Sequence, residues 1–239
     1  MRLDHWLVSQ GHFRSRDRAK EVILAGKIEV DQKIVLKPAT EILDTTVVKV
    51  LQADNPYVSR GAVKLEGALK EFRVDVTDKV CLDVGVATGG FTDCLLRSGA
   101  KKVYAVDIGE GQLAEVILAD QRVVFRNHCD ARELKLADFQ EILDVVVVDV
   151  SFISVTALIP ALKLICTADT QLIVLIKPQF ELGEKHSGVI RSEHVRRKIL
   201  VKLRETFTSE NFQIKKEMLS PILGKEGNQE YLWLLKKLN

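Results

Sequence analysis

Val80-Cys81-Leu82-Asp83-Val84-Gly85-Val86-Ala87-Thr88-Gly89-Gly90-Phe91-Thr92 is a short apolar run entering a glycine-rich turn, and a second apolar run, Val103 to Val106, ends in Asp107. In an α/β sheet, glycines after the first strand let the backbone approach a ligand, and an acid closing the next strand accepts ribose hydroxyls. The turn reads D-x-G-x-x-x-G-G. It lacks the G-x-G-x-x-G of a dinucleotide fingerprint and the Gly-Lys-Ser/Thr of a P-loop. A nucleoside cofactor without a phosphate suits it better, and S-adenosylmethionine is such a molecule; a dinucleotide site and a purely structural turn are the alternatives. In this reading Asp83 organises the end that holds the methionine ammonium, Asp107 holds the ribose, and Gly85 and Gly89 leave room for the ligand.

Working outward, apolar strand candidates recur at 80–84, 103–106, 145–148 and 172–176, with helical segments between them. That alternation predicts a mostly parallel α/β sheet covered on both faces. Acids near the strand ends, Asp83, Asp107 and Asp149, then share the usual ligand edge. Lys177-Pro178 closes the fourth run, so Lys177 can be oriented in a cleft near Asp149. A carboxylate neighbour favours the ammonium and desolvation favours the amine, so the sequence leaves Lys177 open between general base and electrostatic guide. Glu230 enters a final apolar run, 231–235, whose antiparallel placement returns it to the same edge, and Lys64 follows a glycine-containing turn and can project there too. A capping role for Asp149, a solvated Lys64 and a surface Glu230 are the simpler readings of each residue alone. Together, two lysines and two acids can orient a ribose 2′-hydroxyl and assist its proton loss as it attacks an electrophilic methyl.

The chain has 239 residues, is 46% hydrophobic, and carries 35 Lys+Arg against 33 Asp+Glu. That is enough for one sizeable core plus a small module, and too balanced for charge alone to establish nucleic-acid binding. The positive excess sits at the front: residues 1–37 hold eight basic and five acidic side chains. They read as two short helices and a hairpin, with Ser15 capping the second helix and Gly11 and Gly26 stopping each. On that helix Arg14, Arg18 and Lys20 face outward while Ala19, Val22 and Ile23 face inward. Such a basic surface can contact successive RNA phosphates and read shape; ordinary solvation is the alternative, since Asp17 and Glu21 interrupt it. Val47 to Val50 can complete the hairpin's sheet. The expected boundaries are 1–55 for this α+β module, 56–62 for a linker and 63–239 for the larger domain.

Other chemistries find little support. Cys81, Cys94, Cys129 and Cys166 show no C-x-x-C spacing and read as reduced thiols. The five histidines form no H-E-x-x-H or compact ligand series, so no metal is expected. Ser59, Ser151 and Ser154 lack the G-x-S-x-G setting of a hydrolase nucleophile. No apolar run reaches transmembrane length and the N-terminus lacks a signal-like core, so the expectation is a cytoplasmic protein with no membrane partner.

The whole chain resembles the TlyA, or hemolysin-A-like, family of bacterial ribosomal-RNA 2′-O-methyltransferases. The resemblance rests on Arg2-Leu3-Asp4, Ser15 to Lys20 and Ala25 to Val30 at the front, which look like an S4 RNA-binding domain. It continues through Y-V-S-R-G-A-V-K-L from Tyr57, T-G-G-F-T-D-C-L-L from Thr88, V-Y-A-V-D-I-G-E-G-Q-L from Val103, V-D-V-S-F-I-S from Val148, L-I-K-P-Q-F-E from Leu175 and E-G-N-Q-E-Y-L from Glu226, which look like an FtsJ-like domain. It implies a Rossmann-like class I methyltransferase fold and S-adenosylmethionine as donor. It assigns Lys64, Asp149, Lys177 and Glu230 to a K-D-K-E catalytic arrangement, with Lys177 nearest the reacting hydroxyl. It puts Asp83, Gly85, Thr88, Gly89, Gly90 and Asp107 at the donor, with Asp130 on the adenine side, and Arg2, Arg14, Arg16, Arg18, Lys20, Lys27 and Arg60 toward RNA. The implied partners are ribosomal RNA and the ribosomal subunits, and the implied substrate a cytidine ribose. A noncatalytic RNA-binding or ribosome-assembly protein and a cytolysin are the competing functions. The chain departs from the family pattern at Ala62, at Val86-Ala87 and at Asp130, where Asn is common.

Overall fold

The computed structural model describes every residue except 14, 44, 52–55, 110–112, 184–187, 225 and 239. The chain divides into two compact units, Met1–Pro56 and Tyr57–Asn239.

In the first unit, helices α1 (Leu3–Ser9) and α2 (Arg16–Leu24) precede strands β1 (Ile28–Val30), β2 (Lys33–Ile34) and β3 (Val48–Val50). The Ser15 hydroxyl accepts the Arg18 amide at 3.3 Å, occupying one of the amides a helix start leaves without a partner. Gly11 and Gly26 follow the helices at φ 74° and 69°, where only glycine escapes the Cβ clash. β1 lies between β2 and β3, antiparallel to both. Leu3, Leu7, Phe13, Ala19, Val22, Ile23 and Ile28 form the core beneath. Trp6 leans on this cluster and stands against His12, ring centroids 5.6 Å apart.

The second unit runs α3 (Gly61–Phe72), β4 (Val80–Val84), α4 (Gly90–Arg97), β5 (Lys102–Val106), α5 (Glu115–Leu118), β6 (Val123–Arg126), β7 (Val145–Val148), α6 (Ile159–Ile165), β8 (Gln171–Ile176), α7 (Pro178–Glu181), α8 (Glu193–Ser209), β9 (Phe212–Leu219) and β10 (Tyr231–Lys237). Its sheet has the order β6-β5-β4-β7-β8-β10-β9. The strands from β6 to β8 are mutually parallel, whereas β10 is antiparallel to both β8 and β9. The sheet is therefore mixed. Order reverses beside β4, between β5 and β7, the place where doubly wound sheets open a crevice at their carboxyl edge.

Alternate residues of the central strands point to opposite faces. Leu82, Val84, Val146, Val148, Val174 and Ile176 join one apolar cluster, while Cys81, Val145, Val147, Ile173 and Leu175 join the other. Both faces are covered, which is why these strands read as unbroken apolar runs. All four cysteines are unpaired thiols. No helix among the described residues is long and apolar enough to cross a membrane.

Candidate active site

The turn after β4 is shaped by what lies beside it. Gly85, at φ 84°, lies so close to β7 that a Cβ would stand 2.6 Å from the Asp149 carbonyl oxygen. Ala87 adopts φ 44°, a left-handed conformation that costs a non-glycine residue about 1–2 kcal/mol. Its amide donates to Asp107 Oδ2 at 2.7 Å, and Gly109 N–H donates to Oδ1 at 2.7 Å. Charge-assisted bonds of this kind offset the strain and hold the Asp107 carboxylate in one orientation.

Asp83 has no exposed surface. Its Oδ2 accepts the Thr92 hydroxyl at 2.7 Å, and its Oδ1 has no partner. Burial pushes the carboxyl up to about 7, reinforced by the nearby Asp149 and Asp107 charges and opposed by the Thr92 hydrogen bonds.

A cavity of about 340 Å³ opens over the carboxyl edge, lined by Gly85, Asp107, Asp130, Arg132, Asp149 and Phe152 among others. Of the donor-side residues expected from sequence, Gly85, Asp107 and Asp130 line it. Asp83, Thr88, Gly89 and Gly90 are not among its lining residues, although Gly89 was expected to leave room for a ligand. A Cβ on Gly89 would stand 2.6 Å from the Leu113 side chain and 3.2 Å from that of Ile117, and one on Gly90 would overlap the Ser59 hydroxyl. These glycines admit the protein's own side chains. Asp83 lies beneath the turn, tied to α4 through the Thr92 hydroxyl.

Asp130 is engaged by Arg132, whose Nε lies 2.9 Å from Oδ1 and whose Nη2 lies 2.5 Å from Oδ2. The Arg132 hydrogen bonds hold the Asp130 carboxyl below its ordinary value. Arg132 was not read from the sequence as a site residue; a cation two positions from a candidate acid was the available signal.

Two lysine–carboxylate pairs stand at the same edge. Lys177 Nζ lies 2.5 Å from Asp149 Oδ1 and donates to Ser151 Oγ at 2.8 Å. Pro178 opens α7 directly after Lys177, ending β8 and fixing the lysine at its tip. Lys64 Nζ donates to Glu230 Oε2 at 2.6 Å across 166 residues of sequence, and the two residues are 8% and 2% exposed. The pairs are neighbours by construction. Tyr231 faces Ile176 in the β10–β8 ladder, so one step further Glu230 comes beside Lys177. Gly61, one turn before Lys64 on α3, places a virtual Cβ 3.9 Å from Asp149 Oδ2.

Phe152 completes this edge and was missed in the sequence. It adopts φ 67°, is 87% exposed, and stands 5.2 Å from the Phe180 ring. Its position three residues after Asp149 was the available signal.

In the first unit, Arg2 and Arg16 both pair with Asp4, Arg18 pairs with Glu21, and Lys20 pairs with Asp17. Lys27 is exposed. Arg14 lies outside the described residues. Arg60 belongs to the second unit, where its Nη2 donates to the Leu223 carbonyl at 3.2 Å.

Residues 57–237 match the FtsJ-like methyltransferase family and residues 1–48 match the S4 domain. Hemolysin A of Brachyspira hyodysenteriae is 42% identical over 236 residues, spanning 97% of this chain and 98% of its own length. The 16S/23S rRNA (cytidine-2′-O)-methyltransferase TlyA of Mycobacterium tuberculosis is 40% identical over 238 residues, spanning 98% and 89%. Among solved structures, that of a candidate hemolysin from Streptococcus thermophilus is similar at a TM-score of 0.78 and 36% identity, covering all of this chain and 89% of its own.

Proposed function

The chain belongs to the TlyA, or hemolysin-A-like, family, in which an S4 domain precedes an FtsJ-like methyltransferase domain, and from that premise we propose that it methylates ribosomal RNA at a cytidine ribose 2′-hydroxyl, with S-adenosylmethionine as donor. The observation that carries this reading is the two lysine–carboxylate contacts, the part-buried Lys177–Asp149 and the buried Lys64–Glu230, at the edge of a cleft that also holds Asp107.

The cleft suits the donor by its chemistry. Asp107, fixed by two backbone amides, keeps acceptor capacity on both oxygens for ribose hydroxyls. Asp130, with both oxygens engaged by Arg132, lines the cleft on the side read for adenine, and Asp83 beneath it keeps one oxygen, Oδ1, without a partner. When bound, S-adenosylmethionine supplies an electrophilic methyl on a sulfonium centre.

A ribose hydroxyl is a poor nucleophile until its proton is drawn away, and a positioned lysine–carboxylate network lowers that barrier by orientation and charge. In this reading Lys177 meets the reacting oxygen, with its Nζ held between Asp149 and Ser151. Lys64 and Glu230 hold the substrate-side charge balanced. The S4 domain supplies the phosphate and shape contacts that bring ribosomal RNA to the cleft. Work on ribosomal subunits would place the protein in the cytoplasm.

The test is transfer of labelled methyl from S-adenosylmethionine to small and large ribosomal subunits that lack the modification, with the product mapped by nucleotide mass. A 2′-O-methylcytidine formed by the native chain and reduced about 10²- to 10⁴-fold by Lys177→Ala is the expected result. No transfer to either subunit by folded protein that still binds RNA overturns the reading in favour of an RNA-binding or assembly role.

A further inference from the structure

A second cavity of the larger unit, of about 760 Å³, is lined by Phe152, Ile153, Gln179, Phe180, Glu181 and Lys202 among others. That volume falls within the range of small-molecule sites, about 300–1,000 Å³. Phe152 and Ile153 also line the cavity over the carboxyl edge, so the two cavities share a wall. Lys177 Nζ stands 5.9 Å from the centre of the Phe180 ring. The second cavity therefore begins beside the lysine that the proposed function puts at the reacting hydroxyl.

The polar groups in its wall fall into three sets. Ser154 Oγ donates to Glu181 Oε2 and meets Thr156 Oγ1 at 2.7 Å, and Glu181 Oε1 accepts the Val155 amide at 2.9 Å. These groups hold one another. Lys202 and Glu226 are exposed. Gln179 differs from both sets, because its carboxamide oxygen is buried and has no partner among the described residues. Native structures pair the large majority of buried polar atoms, so one left over calls for an explanation. With no bond to hold it, the carboxamide can turn about its last side-chain bond, whose torsion is broad in glutamine, and present its oxygen to the cavity.

A ribose carries its base on the carbon next to the one that bears the 2′-hydroxyl. A hydroxyl at Lys177 thus puts the base alongside the lysine, and with the donor in the first cavity the second is left to receive it. Phe152 and Phe180, ring centroids 5.2 Å apart, supply aromatic surface of the kind on which unstacked RNA bases lie while hydrogen bonds read their edges.

We propose that the second cavity seats the base of the methylated nucleotide and that the Gln179 carboxamide reads position 4 of the pyrimidine, its oxygen accepting from the cytosine amino group. This deepens the proposed function and rests on it. Uracil carries an oxygen at the same position. A carboxamide can turn to offer either an acceptor or a donor, whereas a carboxylate only accepts and matches the cytosine amino group alone. The side chain at position 179 therefore sets the choice between the two bases.

The experiment measures labelled-methyl transfer to ribosomal subunits whose target cytidine is intact or replaced by uridine, offered in competition so that the product ratio reports relative kcat/KM. Gln179→Glu is expected to raise the preference for cytidine about tenfold over the native chain, through loss of transfer to uridine. Gln179→Met keeps the length without the polar group, and it is expected to raise KM for both subunits several-fold, more than it lowers kcat. Binding of S-adenosylmethionine stays at the native value in both variants, since Gln179 does not line the first cavity. Should Gln179→Glu be inactive on both bases, Gln179→Met decides. An unchanged preference in active Gln179→Glu, or a native KM in Gln179→Met, overturns the assignment. A native chain that transfers no methyl to intact subunits overturns the proposed function itself.

Discussion

Replacing Glu230 by Gln tests the second lysine–carboxylate pair in both stability and chemistry. Lys64 and Glu230 are 8% and 2% exposed and 2.6 Å apart, so the variant leaves an ammonium in a site closed to water. Breaking a buried pair from one side costs about 3–5 kcal/mol. For a unit spanning residues 57–239, each kcal/mol lowers Tm by about 2–4 °C, so a fall of roughly 6–20 °C is expected. There is little slack for relaxation, since a Cβ on Gly224 would already overlap Glu230 Oε1. The partner experiment is the double variant Lys64→Met/Glu230→Leu. Removing both charges leaves no uncompensated ion, and such replacements are often neutral or stabilising; its Tm should return close to native while methyl transfer stays lost. Calorimetry and urea unfolding give the stabilities, and single-turnover transfer gives the chemistry. A Tm within about 2 °C of native in Glu230→Gln, or a double variant as unstable as the single, would refute the reasoning, because the pair would then behave as an exposed one.

Two further outcomes can be measured on the same material. Folded, the Asp83 carboxyl titrates at about 7, against 3.8 for the ordinary group; between these values the native state holds a proton that the unfolded chain has lost. Stability therefore falls as pH rises from about 4 to 7 and levels off above. Asp83→Asn should exceed the native chain at pH 8 by up to roughly 4 kcal/mol, an advantage that vanishes near pH 4, and urea unfolding with an equal difference at pH 5 and pH 8 would sink this account. Phe152→Ala removes an 87% exposed ring and should change stability by no more than about 0.5 kcal/mol. If the ring stacks on an RNA base, a contact of about 1–3 kcal/mol, KM for the subunit rises about tenfold; an unchanged KM excludes the stacking role.

The parts of the fold that sequence made visible are those where burial leaves a one-dimensional trace. Val145 to Val148 is apolar throughout because odd and even residues meet different cores. β6 and β9 leave no such trace. β6 has no fully buried residue, and β9, at the sheet edge, exposes Lys215, Lys216 and Glu217 in succession. Gly89 was legible as a constrained position but not for its reason, since the side chains beside it, Leu113 and Ile117, come from beyond β5. Lys64, Asp149, Lys177 and Glu230 were legible as candidates, and Lys177 as a neighbour of Asp149, but the Lys64–Glu230 partnership was not. Which lysine meets which acid depends on the β10–β8 register and on α3, neither of which is a local property of the chain.

The position of β10 also dictates an order of assembly. It follows β9 in sequence, yet it lies between β8 and β9, so until β10 arrives β9 is unpaired and β8 is paired on one side only, by β7. During synthesis, when N-terminal domains fold first, the S4 domain can form while β8 and β9 still present unpaired edges and Lys64 still lacks its acid. A product truncated ahead of residue 230 would keep the turn after β4 and the Lys177–Asp149 pair yet leave Lys64 without its carboxylate.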